Sequence, residues 1–206
     1  MREKTFASRL LVYLSVGVTL TLLAVFGLNR QHSGAAAVCQ QKLIAATAKQ
    51  DIEYLRRQYA KATDLIGIGT AQAEAEGRDI YRRIFAADVN FETSGEGEME
   101  ISARGPDQWV EIVSSYLKPL GPTQHLIGSQ LVDLKDLQLG EDCAIIGGTA
   151  HMQSYVQAWH DMPDNTIWLF MGTYLDDVVF TPETGWVITN MNLVQVTGDT
   201  RTRAGK

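Results

Sequence analysis

Four long segments that favour β-strands follow one another after Gly121, and no helix is predicted between them. They span Gln124 to Leu139, Cys143 to His160, Thr166 to Thr181 and Trp186 to Val196. Turn-forming residues separate the segments, with Gly, Pro, Asp and Asn concentrated at 140–142, 163–165 and 182–185. Because strands joined by short turns pair antiparallel, this part of the chain predicts one long antiparallel sheet.

The chain before Gly121 has the periodicity of helices. The first predicted helix begins near Gln40 and ends at Gly67, and its apolar face consists of Ile44, Ile52, Leu55, Tyr59, Ala62 and Ile66. Glu53, Arg56, Arg57 and Lys61 lie mostly outside that face. Further helices are predicted over Ala71 to Ala86 and Gly105 to Leu117, with short strands over Asp88 to Glu92 and Met99 to Ala103.

Helices followed by long strands indicate an α+β fold rather than an alternating α/β fold. A long sheet twists and curls, so helices packed on one side of it leave a concave face. The expected fold is a half-open sheet packed on three helices, and it encloses an apolar pocket.

An uncharged segment of nineteen residues, Leu10 to Leu28, stands apart from this domain. About 20 helical residues cross a bilayer core. Basic residues precede the segment and only Arg30 follows it closely, which favours an N-terminal membrane anchor with a cytoplasmic N-terminus. A signal peptide cleaved after Ala37 and a buried core helix are the alternatives. Anchor and signal both predict a domain outside the cytoplasm.

The resulting domain plan has four parts in a chain of 206 residues. Residues 1–30 are the anchor or signal, 31–39 a linker, 40–200 the α+β domain and 201–206 a basic tail. The net charge is -6 and there is no basic stripe, which argues against nucleic acid as a partner. Cys39 and Cys143 could pair, although two unrelated thiols fit their positions better.

Four sequence stretches carry a family resemblance: IEYLRRQYAKATD, RDIYRRIFAADVNFE, TQHLIG and GTYLDDVVFTPETGWVI. Together they resemble the SnoaL-like branch of the nuclear transport factor 2-like superfamily, over roughly Gln41 to Gly198. That branch includes polyketide cyclases, scytalone dehydratase and hexachlorocyclohexane dehydrochlorinase. The resemblance implies a cone-shaped half-barrel with three helices shielding a deep pocket, and chemistry without a cofactor.

The resemblance also implies a catalytic pair, because Asp64 and His125 stand where dehydratase and dehydrochlorinase members place an Asp and a His. A carboxylate that accepts a hydrogen bond from one imidazole nitrogen fixes the tautomer and leaves the other nitrogen free as a base. The alternative is structural: Asp64 could be an exposed residue of a last helical turn, and His125 could begin a strand at the surface.

Other candidates for substrate contact are less specific. Tyr59 fits a pocket position or a core position with a satisfied hydroxyl. His151, Tyr155 and Trp159 alternate along one strand and therefore share a face, which could line the pocket or be half exposed. His160 points the opposite way beside a turn, so we do not include it.

The last strand departs from the dehydrochlorinase pattern, in which an Arg helps a halide to leave. The matching stretch here is Asn190 to Asn192, and it contains no cation; Asn192 is included as a substrate contact. This favours isomerisation, cyclisation or dehydration over dehalogenation. Asp64, His125 and His151 have no spacing that demands a metal, so no metal site is predicted.

The leading hypothesis is a cofactor-independent lyase or isomerase that acts on a small apolar or ring-shaped molecule. The alternative is a non-catalytic, membrane-tethered domain of the same fold that only captures such a ligand, since fold does not determine function. A homodimer and a homotrimer both remain open.

Overall fold

The computed structural model describes residues 37–95 and 100–203. The chain divides into two compact units, Met1–Ile44 and Ala45–Lys206. Of the first unit only residues 37–44 are described, and they are helical. The fold and the site below concern the second unit.

Three helices and six strands make up the described chain. The helices are α1 (37–67), α2 (Ala71–Ile84) and α3 (Pro106–Leu117). The strands are β1 (Phe85–Gly95), β2 (Ser102–Arg104), β3 (Thr123–Leu139), β4 (Ile145–Asp161), β5 (Thr166–Thr181) and β6 (Gly185–Thr202). Local signals set the helix starts: Thr70 accepts a hydrogen bond from the Ala73 amide at the start of α2, and Pro106 occupies the first turn of α3.

The six strands form one curled, unclosed sheet in the order β2-β1-β6-β5-β4-β3. All neighbouring strands are antiparallel except β1 and β6, which run parallel. The predicted α+β fold, a cone-shaped half-barrel packed on three helices, is confirmed.

Two element boundaries differ from the sequence expectation because pairing between distant strands decides them. The second helix ends at Ile84, and β1 begins immediately and runs to Gly95, since it pairs with β2 on one side and β6 on the other. The last strand continues to Thr202, where it pairs with Thr166 at the far end of β5. Periodicity in a short window does not report such partners.

The core lies between the three helices and the inner face of the sheet. It contains Ile52, Tyr59 and Ile66 from α1, Tyr81 and Ile84 from α2, Trp109 and Val113 from α3, and Met152, Val156, Tyr174, Val178, Ile188 and Met191 from the sheet. Burial alternates strictly along the middle of β4, so that side chains of even number face the helices.

The expected membrane anchor is not supported. No helix within residues 37–95 and 100–203 combines the length and the apolar character needed to span a bilayer. The segment Leu10 to Leu28 itself lies outside the described residues. The predicted location outside the cytoplasm depended on that segment, so it is corrected here and no anchored or exported location is retained.

Candidate active site

A cavity of about 330 Å³ lies between the helices and the inner face of the sheet. Apolar and aromatic side chains form most of its wall: Ile101, Trp109, Ile112, Val113, Tyr116, Leu117, Leu120, Met162, Trp168, Phe170, Tyr174 and Leu193. Tyr59, Thr63, Thr93, His125 and His160 contribute polar atoms. A largely apolar cavity with a few convergent polar groups is the usual form of a small-molecule site.

Asp64 and His125 meet at the edge of this cavity. The Oδ1 atom of Asp64 lies 2.7 Å from Nδ1 of His125, and the backbone amide of His125 donates to the same carboxylate at 3.1 Å. The side chain of His125 is 9% exposed and that of Asp64 is 27% exposed. The histidine is therefore held at two points by one carboxylate, with little access to bulk water.

Chain geometry explains why the two residues meet. Asp64 lies in the last full turn of α1, and His125 is the third residue of β3. Gly67 permits the helix end to approach the strand start, because a Cβ atom there would collide with Cγ2 of Thr123. The missing side chain at Gly67 therefore contributes to bringing the carboxylate within reach of the imidazole.

The hydrogen bonds also assign the tautomer of His125. An ionised carboxylate only accepts hydrogen bonds, so the Nδ1 atom of His125 carries a proton toward Asp64. In the neutral ring, Nε2 then has the free lone pair. His125 lines the cavity, and its ring can act as a base there.

A second histidine, His160, lines the same cavity. Its ring centroid lies 5.6 Å from that of His125, and its Nδ1 atom is 3.4 Å from the carbonyl oxygen of Trp168. Burial, together with the nearby His125, lowers the pKa of His160 from 6.5 to about 4. His160 is therefore neutral at pH 7. Since the carbonyl only accepts, Nδ1 carries the proton and Nε2 is an acceptor.

The direction predicted for His160 is correct, but this direction makes it a cavity residue and not one to leave out. It faces the opposite way from Trp159, and that direction is the cavity side of β4. The alternation of β4 contained the signal: His160 has the same parity as the buried Met152, Val156 and Ala158. A histidine in register with an apolar face indicates a side chain that is enclosed with that face.

Tyr59 is both a core residue and a cavity residue. It is buried, lines the cavity, and its hydroxyl oxygen accepts a hydrogen bond from Nε1 of Trp109 at 3.2 Å. Its ring stacks on that of Tyr81 with a centroid distance of 5.2 Å. Tyr59 therefore fits both alternatives: it is a core residue with a hydrogen-bonded hydroxyl, and it lines the pocket.

The structure does not bring His151, Tyr155 and Asn192 to the cavity. They share the outer face of the sheet, where the rings of His151 and Tyr155 are exposed. His151 and Asn192 line a separate depression, which also includes Asp177. The expected common face of His151 and Tyr155 is present, but this face lies across the sheet from Asp64 and His125.

Arg56 was predicted to lie mostly outside the apolar face of α1, but the structure buries it on that face. It is fully buried and forms a two-point ion pair with the fully buried Asp176, in which Nε lies 3.2 Å from Oδ2 and Nη2 contacts Oδ1. The helical spacing agrees with this buried position, because Arg56 lies four residues after Ile52 and three before Tyr59, on their face. Its Nη1 atom contacts Sδ of Met191 at 3.4 Å, within the stretch of β6 where no cation was found in the sequence.

No group of three or more His, Cys, Asp or Glu side chains that could hold a metal ion occurs in the described part of the chain. Asp176 and Asp177 point to opposite faces of β5, as the strand period requires: Asp176 is buried with Arg56, while Asp177 is partly exposed.

Comparison with known proteins identifies the family. Residues 73–192, more than half of the chain, match the family described as the SnoaL-like domain. No curated protein matches the sequence.

Three solved structures share the fold. The Kfla4162 protein of Kribbella flavida is 20% identical with a TM-score of 0.57, covering 75% of this chain and 95% of its own. A protein of Novosphingobium aromaticivorans provisionally assigned as a scytalone dehydratase is 17% identical, with a TM-score of 0.55 and coverages of 80% and 92%. A hexachlorocyclohexane dehydrochlorinase, LinA type 2, is 14% identical, with a TM-score of 0.55 and coverages of 80% and 95%. The family match and these shared folds lead to one conclusion: the chain belongs to the SnoaL-like domain family.

Proposed function

We propose that this protein is a cofactor-independent enzyme of the lyase or isomerase type, with His125 as its general base and Asp64 as the group that orients the base. The observation that carries the proposal is the 2.7 Å contact between these side chains at the edge of an apolar cavity. A histidine with one nitrogen fixed by a carboxylate and the other free is the arrangement that proton transfer requires.

In this mechanism, Nε2 of His125 removes a proton from a carbon atom next to a carbonyl or next to a carbon that carries a hydroxyl. The imidazolium that forms is stabilised by Asp64. In an isomerisation or cyclisation the proton returns to the substrate at another atom; in a dehydration it leaves with the hydroxyl as water. The apolar walls keep solvent away, which strengthens each of these electrostatic interactions.

The cavity favours a flat substrate that is neutral before His125 removes a proton from it. Trp109, Trp168, Phe170 and Tyr174 supply aromatic surfaces for stacking against a ring. His160 is neutral, so no cationic side chain is offered to a carboxylate or phosphate there. Its Nε2 atom is suited to accept a hydrogen bond from a substrate hydroxyl, which would orient the ring toward His125.

The fold relatives are in keeping with this chemistry, since two of them are named as a dehydrochlorinase and, provisionally, a dehydratase. Identities of 14% and 17% do not transfer a substrate. We favour isomerisation, cyclisation or dehydration over dehalogenation, because Arg56 is committed to Asp176 and does not line the cavity.

The test begins with the full-length protein and a metabolite extract, from which retained molecules are identified by mass spectrometry. Each retained molecule is then incubated with the protein in D₂O. If His125 removes a proton from carbon, deuterium enters the molecule at that carbon even when no net reaction follows, and a dehydration also lowers the mass by one water.

His125→Ala serves as the matched control, because it keeps the cavity and removes the base. Deuterium incorporation by the wild type and none by His125→Ala supports the proposal. A molecule that is retained without exchange or conversion by the wild type contradicts it, and indicates that the domain captures a ligand without reacting with it.

A further inference from the structure

The buried ion pair of Arg56 and Asp176 is costly and therefore calls for an explanation. Both side chains are fully buried, and charged groups of this kind lose several kcal/mol of hydration each when they leave water. Replacing such a pair by apolar residues of similar size is often neutral or stabilising. Fold stability alone thus gives no reason for the pair.

The position of the pair supplies a reason. The guanidinium carbon of Arg56 lies 3.8 Å from the ring centroid of Tyr174 and 4.5 Å from that of Tyr59. Both tyrosines line the cavity, whereas Arg56 and Asp176 do not. The positive charge therefore lies directly behind two aromatic rings that form part of the cavity wall, and Asp176 holds it there.

We propose that Arg56, held by Asp176, is a positioning residue that makes the Tyr59 and Tyr174 part of the cavity favour negative charge developing on a bound ring. This inference rests on the proposed function for its role in turnover. As a preference of this part of the cavity for the ionised form of a bound phenol, it stands independently of that function.

The charge of Arg56 acts on Tyr174 in the direction that the inference requires, because it favours the ionised form of the hydroxyl. Burial and the neighbouring Tyr59 raise the pKa of Tyr174 well above 10, while the charge of Arg56 acts to lower it. The opposing influence of Asp176 on Tyr174 is weaker than that of Arg56. The pair as a whole thus presents its positive end to the cavity wall.

The hydroxyl of Tyr59 belongs to a cluster of polar groups at the cavity wall. Its oxygen accepts the indole N–H of Trp109, and the side chains of Tyr174 and Tyr81 are hydrogen-bonded to Tyr59. An enolate oxygen formed when His125 removes a proton would join this cluster as a further acceptor. Preorganised donors backed by a fixed charge stabilise developing charge without reorganisation during the reaction.

The test uses 4-nitrophenol as the probe, because its phenol and phenolate forms absorb at different wavelengths. The full-length wild type is compared with the double variant Arg56→Met/Asp176→Leu, which removes the ion pair without leaving an unpaired buried charge. Arg57→Met is the matched control: this neighbouring arginine of α1 is half exposed and pairs with Glu53. A second test variant, Tyr59→Phe/Tyr174→Phe, keeps the ion pair and removes the two hydroxyls.

We expect the ratio of bound phenolate to bound phenol to fall about tenfold in each double variant, which corresponds to one pKa unit, and to stay unchanged in Arg57→Met. Thermal melting verifies that each variant is folded. The same tenfold difference is expected when every protein also carries His125→Ala. This shows that the change in the phenolate ratio does not come from the imidazole of His125.

A wild type that takes up only neutral phenol, or none of the probe, contradicts the inference, as does an unchanged ratio in the Tyr59→Phe/Tyr174→Phe variant. If the probe behaves as expected while no ligand exchanges deuterium, the anion preference holds and the proposed function fails. If exchange occurs but the probe ratio is insensitive to the ion pair, the proposed function holds and this inference fails.

Discussion

Within the described residues, two Asp–His pairs lie on opposite sides of the same sheet. Asp64 and His125 lie at the cavity edge, with His125 9% exposed, whereas His151 and Asp177 lie on the outer face, with side chains 60% and 49% exposed. The contact distances are similar, 2.7 Å and 2.5 Å. The pair itself is therefore not what distinguishes a candidate active site; the enclosing apolar wall is, because it excludes water and keeps the local dielectric low.

The strongest test of this comparison removes each histidine in turn. His125→Ala is expected to lower turnover of the retained ligand by about 10² to 10⁴-fold, the usual contribution of a positioned general base. His151→Ala is expected to leave turnover unchanged, since its ring is separated from the cavity by the sheet. Steady-state rates measured with melting curves decide the outcome, and equal rate losses in the two folded variants would contradict the assignment.

The second largest effect on turnover is expected when the carboxylate of each Asp–His pair is changed to an amide. Asp64→Asn is expected to lower kcat by about 10²-fold, because an amide can donate to Nδ1 and hold the ring in the other tautomer or a displaced position. Asp177→Asn serves as the external control, with no expected change. If Asp64→Asn kept the wild-type rate, Asp64 would be a structural partner of the His125 backbone amide and nothing more.

The pH dependence of stability distinguishes the enclosed face from the open face in a third way. His160 titrates near 6.5 when unfolded and at about 4 when folded, so the unfolded chain binds more protons between these values. This group therefore makes no difference to stability above pH 6.5 and destabilises the fold progressively as the pH falls to 4. The loss amounts to about 3 kcal/mol.

Denaturant unfolding of His160→Gln across this pH range provides the measurement. The variant is expected to show a shallower loss of stability with acid than the wild type. Parallel curves for wild type and His160→Gln would mean that His160 binds a proton as readily in the folded protein as in the unfolded chain, which contradicts the lowered pKa.

The smallest expected effect belongs to the outer pair. A double-mutant cycle with His151→Ala and Asp177→Ala should give a coupling energy below about 0.5 kcal/mol, because both groups are exposed and screened. Chemical unfolding at neutral pH and at low salt measures it. A coupling of several kcal/mol would show that exposure on this face does not weaken a contact of 2.5 Å.

The sequence predicted the fold well, because the four long strands have turn residues at their ends and the helices precede them. It paired Asp64 with His125 only through the family resemblance, since residues 61 positions apart have no local relationship. It did not determine which face of β4 is enclosed: alternation groups His151 with Tyr155 and separates both from His160, but the identity of the inner face depends on the helices. Arg56 was missed for a related reason, because its charge suggested solvent although its spacing matched Ile52 and Tyr59.

The parallel pairing of β1 with β6 has a consequence for how the chain is made. A ribosome releases β1 about 100 residues before the strand that pairs with it along seven register positions, and Arg56 emerges 120 residues before Asp176. Until synthesis nears completion, β1 can pair with the three-residue β2, but its side toward β6 stays open. Contacts of such long sequence separation slow folding and leave early segments open to aggregation. We therefore expect the nascent amino-terminal half to be the part of the chain most exposed to aggregation during synthesis.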